Sequence, residues 1–266
     1  MAAMAPKGVG TAVRATPADA WGAQVMAHTC GMKVANAVPD RGLLQGLMAR
    51  VTGIVLDFDG PMCLLFPSGT APQAEAIKQA VRADQGRIPL TMQGLRDSHA
   101  ILQELRQDTS GAAGMVADLV TEAEFRAVRT AQPTEYLHPL VARLAGQGTG
   151  LAIASNNDAG AIEDFLRRND LIAPFRNRVF GRVSHALQKM KPDPYCVALA
   201  CDSMGLAPRE CLMVGDKISD LEAAQAAGTY FLGCTDDASE YDQMEKLGAD
   251  AVVTSLAPVL NAVHDL

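Results

Sequence analysis

Gly53-Ile54-Val55-Leu56-Asp57-Phe58-Asp59-Gly60 is the stretch that decides how this chain is read. An apolar, β-branched run that gives way at once to an acidic pair and a glycine reads as a buried strand that stops at a site. Side chains two apart on extended backbone face the same way, so Asp57 and Asp59 can both reach one reacting centre. Two like charges that close are costly unless a cation or a shared proton relieves them. The pair therefore points to metal or acid–base chemistry, although an acidic pair before a glycine is also an ordinary turn.

Three further segments follow in order. Leu151-Ala152-Ile153-Ala154 is a second strand-like run and ends in Ser155-Asn156-Asn157. Lys191 opens Lys191-Pro192-Asp193-Pro194. Cys211-Leu212-Met213-Val214 leads into Gly215-Asp216-Lys217-Ile218-Ser219-Asp220, followed by an alanine-rich stretch that closes on Gly228. Singly, each has a plain structural explanation. Ser and Asn are favoured helix N-caps, a lysine before a proline-rich turn is usually solvated, and Asp216 and Asp220 can cap a helix and complement its dipole.

As a set and in this order, the four motifs resemble those of the haloacid dehalogenase-like hydrolase superfamily, in its phosphatase branch with a helical cap (phosphoglycolate phosphatase-like). The resemblance runs over roughly residues 50–255. It implies an α/β fold, a Rossmann-like parallel sheet with helices on both faces and an inserted small helical cap domain. It also implies a Mg²⁺-dependent phosphatase that hydrolyses a small phosphomonoester, phosphoglycolate- or sugar-phosphate-like, through an aspartyl-phosphate. On that resemblance Asp57 is the nucleophile and Asp59 the general acid and base, two roles a carboxylate can fill. The metal ligands are then the Asp57 carboxylate, the Asp59 main-chain carbonyl, Asp216 and Asp220. Mg²⁺ is a hard ion that takes oxygen ligands. Ser155, Asn156 and Lys191 bind the phosphoryl oxygens, with Lys191 neutralising charge that builds in the transition state. Two positions depart from the pattern. Pro61 stands where relatives often carry Thr or Val, and Lys217 stands where many carry Ser. Three rival functions stay open: a sugar phosphomutase of the same fold, a 2-haloacid dehalogenase, and a phosphate-binding module without catalysis. Asp59, Asp216 and Asp220 count against the dehalogenase, which needs no metal, and the intact Asp57 and Asp59 count against the bare binding module.

The whole chain fits that picture. It has 266 residues, 48% of them hydrophobic, and a net charge of −7. That balance suits a soluble globular protein and argues against a nucleic-acid binder, which would carry a basic face; the partner the resemblance implies is a small phosphorylated metabolite. No apolar stretch reaches the length of a membrane span. Six cysteines show no C-x-x-C pair, so they read as reduced thiols of a cytoplasmic protein, monomeric or homodimeric. Cys63 is expected to be a buried structural thiol, with a place in the site as the alternative.

Pattern places a non-catalytic, dispensable extension at 1–49, with one short helix at 18–28 and Met48 as a candidate alternative start. The α/β core is expected at 50–66 and 135–266, and the cap at 67–134. Within the cap, apolar residues at three- and four-residue spacing predict helices at 74–83, 96–107 and 115–131. His99, Arg82, Arg87, Arg96 and Arg106 are its candidates for contacting an anionic leaving group, although most such residues are solvated. After Pro133, helices are predicted at 136–145, 159–169, 193–204 and up to 227. Strands are predicted at 151–154, 178–181, 211–215 and 230–232, with a possible edge at 251–254. Such alternation implies a parallel sheet with helices on both faces, so the motifs meet at its carboxyl edge. His138 and His185 have no partner at zinc spacing and read as structural or exposed.

Overall fold

A computed structural model of the chain describes residues 41–107 and 112–264. In chain order these form α1 (Arg41–Met48), β1 (Gly53–Leu56), α2 (Ala71–Gln85), α3 (Leu90–Gln93), α4 (Ser98–Glu104), α5 (Ala112–Ala127), α6 (Leu137–Gly146), β2 (Gly150–Ala154) and α7 (Ala159–Arg168). They continue with β3 (Val179–Phe180), α8 (Tyr195–Met204), β4 (Cys211–Gly215), α9 (Ile218–Ala227), β5 (Tyr230–Cys234), α10 (Ala238–Lys246), β6 (Ala251–Val253) and α11 (Ala257–His264). The strands make one parallel sheet in the order β3-β2-β1-β4-β5-β6. β1 is central, flanked by β2 and β4, so the chain winds outward on one side and then returns to the middle to build the other. Ligand sites in such sheets lie beyond the carboxyl ends of the strands near that reversal.

Alternation along the strands fills both faces. Ile54 and Leu56 of β1, Leu151 and Ile153 of β2, and Leu212 and Val214 of β4 join one apolar layer with α6, α7 and α11. Val55, Ala152, Ala154 and Met213 face the other layer, against α8 and α9. A strand covered on both sides needs no polar positions, which is why β1 is buried throughout. A third apolar cluster lies in the long segment between β1 and β2. Ile77 and Val81 of α2, Ile101 and Leu102 of α4, and Val116 and Val120 of α5 meet there with Leu187 and Met190, the residues just ahead of Lys191.

The last part of the expected amino-terminal extension is folded. Arg41–Met48 is helical, and its Leu44, Leu47 and Met48 are buried in the layer that also holds Val259, Ala262 and Val263 of α11. Its eight residues are too few to display a sustained period in the sequence. A chain starting at Met48 would remove Leu44 and Leu47 from this layer. The short helix anticipated at 18–28 lies outside the described residues. α10 and α11, both after the last motif, were also not anticipated. Among the described residues no helix is long and apolar enough to cross a membrane.

Candidate active site

The acidic pair lies just past the carboxyl end of β1. Strand pairing stops at Leu56, where the Asp57 amide donates to the Val214 carbonyl at 2.8 Å. Phe58 turns the other way and anchors the loop in the core, its ring edge-on to Phe165 with centroids 5.1 Å apart. Asp57 and Asp59 therefore both line a cleft of about 630 Å³ together with Ser155, Asn156, Lys191, Asp216 and Asp220. These residues come from the ends of β1, β2 and β4, the first turn of α9 and the loop ahead of α8. Cys63 does not reach the cleft: it is fully buried behind the loop, and burial pushes its thiol up.

Lys191 is the hub. Its side chain is 1% exposed, and Nζ lies 2.8 Å from Asp57 Oδ1 and 2.6 Å from Asp220 Oδ1. It also donates to the Ala154 carbonyl at 3.0 Å. Burial alone would drive the ammonium down, but the Asp220 and Asp57 carboxylates outweigh it and hold the lysine protonated. Asp220 is occupied at both oxygens, since its Oδ2 accepts the Asp216 and Lys217 amides at 3.1 and 3.0 Å and closes the first turn of α9. Asn156 is occupied too. Its Oδ1 accepts the Lys191 amide at 2.7 Å and its Nδ2 donates to the Lys191 carbonyl at 3.1 Å, so the side chain fixes the main chain of the lysine. Ser155 Oγ bonds Asn157 Oδ1 at 3.0 Å and accepts the Asn157 amide at 3.2 Å.

Negative charge is in excess. Ligand oxygens of Asp57, Asp216 and Asp220 lie within 4.8 Å of one another, with Lys191 as the single buried ammonium among them. Burial first, and then the neighbouring carboxylates, push Asp57 and Asp216 above the ordinary aspartate range. Asp216 Oδ1 is buried with no hydrogen-bond partner. Such an atom is expensive unless something outside the protein satisfies it. A hard divalent cation with oxygen ligands fits that set of donors. Gly60 and Gly215 make room for the acids: a Cβ at Gly60 (φ 111°) would run into the Asp216 carboxylate, and one at Gly215 into that of Asp220. Asp59 stands slightly apart, with Oδ1 accepting the Leu65 amide at 2.8 Å. Burial raises it to about 6, against the opposing pull of the Leu65 amide and the His99 charge.

Lys217, one of the two departures noted in the sequence, is 3.4 Å from Asp216 Oδ2 and 3.9 Å from Glu240 Oε1, on the rim of the cleft. Pro61, the other, is buried and accepts the Thr134 hydroxyl at its carbonyl, 2.6 Å away. Of the five residues singled out between β1 and β2, only His99 lines the cleft, while Arg82, Arg87, Arg96 and Arg106 are exposed elsewhere. His138 is exposed and bonds the Asn169 carbonyl at 2.8 Å, and His185 is exposed.

A second ionic cluster, not foreseen from the sequence, adjoins this one. Glu124 of α5 is completely buried, yet its Oε1 and Oε2 accept Arg182 Nη1 and Nη2 at 2.8 and 2.9 Å. Glu124 also accepts Asn157 Nδ2 and the Asp158 amide, each at 3.0 Å, and lies 3.1 Å from His99 Nε2. Arg182 donates onward to the Asn156 carbonyl at 2.8 Å and to Thr121 Oγ1 at 2.7 Å. Burial would raise Glu124, but the bonds from His99 and Arg182 prevail and hold it down at about 2. One signal was present in the sequence: Val116, Val120 and Glu124 follow at four-residue spacing, so this acid sits on the apolar face of its helix.

A family model described as haloacid dehalogenase-like hydrolase matches residues 51–228. Among curated relatives, the N-acetylmuramic acid 6-phosphate phosphatase of Pseudomonas aeruginosa is 27% identical over 190 residues, 68% of this chain and 80% of that protein. The phosphoglycolate phosphatase of Nitrosospira multiformis is 26% identical over 220 residues, 77% of this chain and 92% of that one. Among solved structures, a predicted phosphatase from Clostridium acetobutylicum superposes with a TM-score of 0.62 at 15% identity, over 81% of this chain and 100% of the other. A hydrolase of the same family from Deinococcus radiodurans, solved with phosphate and sodium bound, gives 0.55 at 22% identity, over 82% and 96%. At such identities the two structural likenesses speak for the fold.

Proposed function

The chain belongs to the haloacid dehalogenase-like hydrolase family, and from that premise we propose that it is a Mg²⁺-dependent phosphatase of a small phosphomonoester. One observation carries the reading: Asp57, Asp216 and Asp220 converge within 4.8 Å at the carboxyl edge of the sheet, with Asp59 lining the same cleft. The relatives named for phosphoglycolate and N-acetylmuramic acid 6-phosphate support a phosphoglycolate- or sugar-phosphate-like ester.

Asp57 and Asp216, with the Asp59 main-chain carbonyl, would hold the metal, and Asp220 closes the set from behind Lys191. When bound, Mg²⁺ supplies positive charge that offsets both the carboxylate excess and the phosphate dianion. The remaining steps belong to the protein. Lys191 holds one Asp57 oxygen, which orients the other for attack on phosphorus, and its own charge meets the charge growing on the phosphoryl oxygens. Attack forms the bond from Asp57 to phosphorus as the bond to the leaving oxygen breaks. Asp59 gives its proton to that oxygen. It then takes a proton from the water that hydrolyses the aspartyl-phosphate, regenerating Asp57 and releasing phosphate. An acid poised near 6 can serve in both directions at neutral pH. Ser155 and the Asn156 main chain complete the phosphate cradle, while the Asn156 side chain keeps Lys191 in place. The helices of 67–134 act as the cap that covers the cleft and excludes water.

Hydrolysis of an aryl phosphate is expected to vanish with EDTA and to return with Mg²⁺, and Asp57→Asn is expected to give neither turnover nor phosphoenzyme. Asp59→Asn should lose about 10²–10⁴-fold on an alkyl phosphate. With an aryl phosphate the same variant should accumulate aspartyl-phosphate, visible by rapid quench and mass analysis. Full activity in metal-free buffer, or near wild-type alkyl-phosphate turnover by Asp59→Asn, would overturn the mechanism.

A further inference from the structure

The ionic cluster around Glu124 has an outlet into the cleft. His99, on α4, lines the cleft with Asp59 and is 19% exposed, whereas its Nε2 partner Glu124 is completely buried. Glu124 brings one negative charge. Arg182 already meets both of its oxygens, so the pair is neutral before the histidine is counted. With an imidazolium at His99 the cluster carries one surplus positive charge, and His99 is its member that faces the cleft. Nε2 is committed to Glu124, which leaves Nδ1 as the donor for anything bound there.

The charged groups around His99 come from four elements: Glu124 on α5, Arg182 after β3, Asp97 at the N-cap of α4 and Asp59 after β1. Burial and Arg182 work against the imidazolium, but the Glu124 bond and charge, helped by Asp97, prevail and hold His99 above its ordinary value. The Asp97 carboxylate is tied down by the Ala100 amide and the Thr70 hydroxyl, each at 2.7 Å. The other cations of the cleft lining, Lys191 and Lys217, are paired with carboxylates that have no second cation matching them as Arg182 matches Glu124: Lys191 with Asp57 and Asp220, Lys217 with Asp216 and Glu240. His99 is therefore the cation available to whatever lies past Asp59. In the reaction above, that position belongs to the leaving alcohol.

We propose that His99 is a specificity-determining residue, which receives a carboxylate on the leaving alcohol of the substrate, so that the preferred substrates are phosphomonoesters of hydroxy acids. This rests on the phosphatase reading and narrows it. A single surplus charge, with Asp97 and Glu240 on the same lining, matches a monoanion better than a second phosphate dianion. The same Glu124 grips the Asn157 side chain and the Asp158 amide, immediately beyond Ser155 and Asn156. The residue that reads the leaving group and the loop that cradles the phosphate are thus held in register by one carboxylate.

The test is a kcat/KM comparison with the full chain and Mg²⁺. One set of esters carries a carboxylate (2-phosphoglycolate, 2-phospholactate), one is neutral and of similar size (ethyl phosphate, 2-hydroxyethyl phosphate), and one carries a second phosphate (1,3-propanediol bisphosphate). Wild type should favour the carboxylates. His99→Gln keeps a donor for Glu124 but no charge, and should lose about tenfold to a hundredfold on the carboxylates, the range for a hydrogen bond to a charged group, mostly through KM. Ethyl phosphate should lose less, so the carboxylate-to-ethyl ratio of kcat/KM should fall about tenfold or more. His99→Arg, which restores the charge, should recover part of the preference. An active wild type that ranks neutral esters or the bisphosphate above the carboxylates would overturn the assignment, as would a His99→Gln variant with an unchanged ranking. A wild type inactive on every ester would instead bring down the phosphatase reading, and this one with it.

Discussion

Two buried ionic clusters stand side by side in this molecule with opposite balances. Around Lys191 three carboxylates share one ammonium, and Asp216 Oδ1 has no partner at all. Around Glu124 two cations share one carboxylate, and both Glu124 oxygens have partners. Both are equally remote from solvent, so burial does not separate them. What separates them is the sign of the charge left over. The Glu124 cluster has both carboxylate oxygens partnered and a cation to spare, and it acts as a joint between α4, α5 and the loop after β2. The Lys191 cluster is left short of positive charge, as a centre must be if it is to take a cation and a phosphate.

Replacing the acid of each cluster should therefore move stability in opposite directions. The largest effect is expected at Glu124. Glu124→Ala leaves Arg182 and His99 buried without their counter-charge and should cost about 3–5 kcal/mol in urea unfolding. The isosteric Glu124→Gln should cost on the order of 3 kcal/mol at neutral pH, from the depression of the carboxyl to about 2. The sign follows from that depression: the contribution is whole above the ordinary glutamate value of about 4.3, and is lost as pH falls through that value toward 2. The gap between wild type and Glu124→Gln should close over the same window. A cost under about 1 kcal/mol for Glu124→Ala would break the comparison, because it would mean the joint holds nothing.

The next effect is the response of the Lys191 cluster to metal. Magnesium at ten times its dissociation constant should stabilise the protein by about 1.4 kcal/mol, read as a rise in melting temperature at pH 7. Asp57 and Asp216 hold protons more readily than ordinary aspartates, so protons compete with the ion, and the rise should shrink as pH is lowered. An equal rise at acidic pH would place the binding elsewhere.

The smallest effect is the most diagnostic. Asp216→Asn removes one of the crowded charges and should stabilise the metal-free protein, read as a small rise in its melting temperature. The same variant should lose the magnesium response. Destabilisation of the metal-free protein by Asp216→Asn would show that the carboxylate excess is already relieved inside the protein.

The candidate site was far more legible in the sequence than its neighbour. Three of its four motifs sit directly after an apolar run, so local pattern announced both the strand and the group at its end: Asp57 after Leu56, Ser155 after Ala154, Asp216 after Gly215. Glu124 and Arg182 had no such marker. They are 58 positions apart, and only their shared burial turns two ordinary charges into a pair. The resemblance implies Asn156 as a phosphate ligand; its side chain bonds the Lys191 main chain, a contact no local pattern shows. For 67–134 apolar spacing gives the helices and the resemblance gives the cap, with five candidate contacts named by residue type. Which helix face turns to the cleft leaves His99 there and the four arginines outside it.

By itself, then, the sequence determined the parallel α/β architecture and the convergence of the motif residues, because strand burial, loop position and the one-sided edge of a parallel sheet follow from short-range pattern and topology. Tertiary structure alone decided what those residues are attached to. The docking of α1 on α11, the sharing of Glu124 between His99 and Arg182, and the surplus charges of opposite sign in adjoining clusters depend on distances between segments remote in the chain. A charge has no fixed energy until its neighbours and its distance from water are set. No local pattern carries that information.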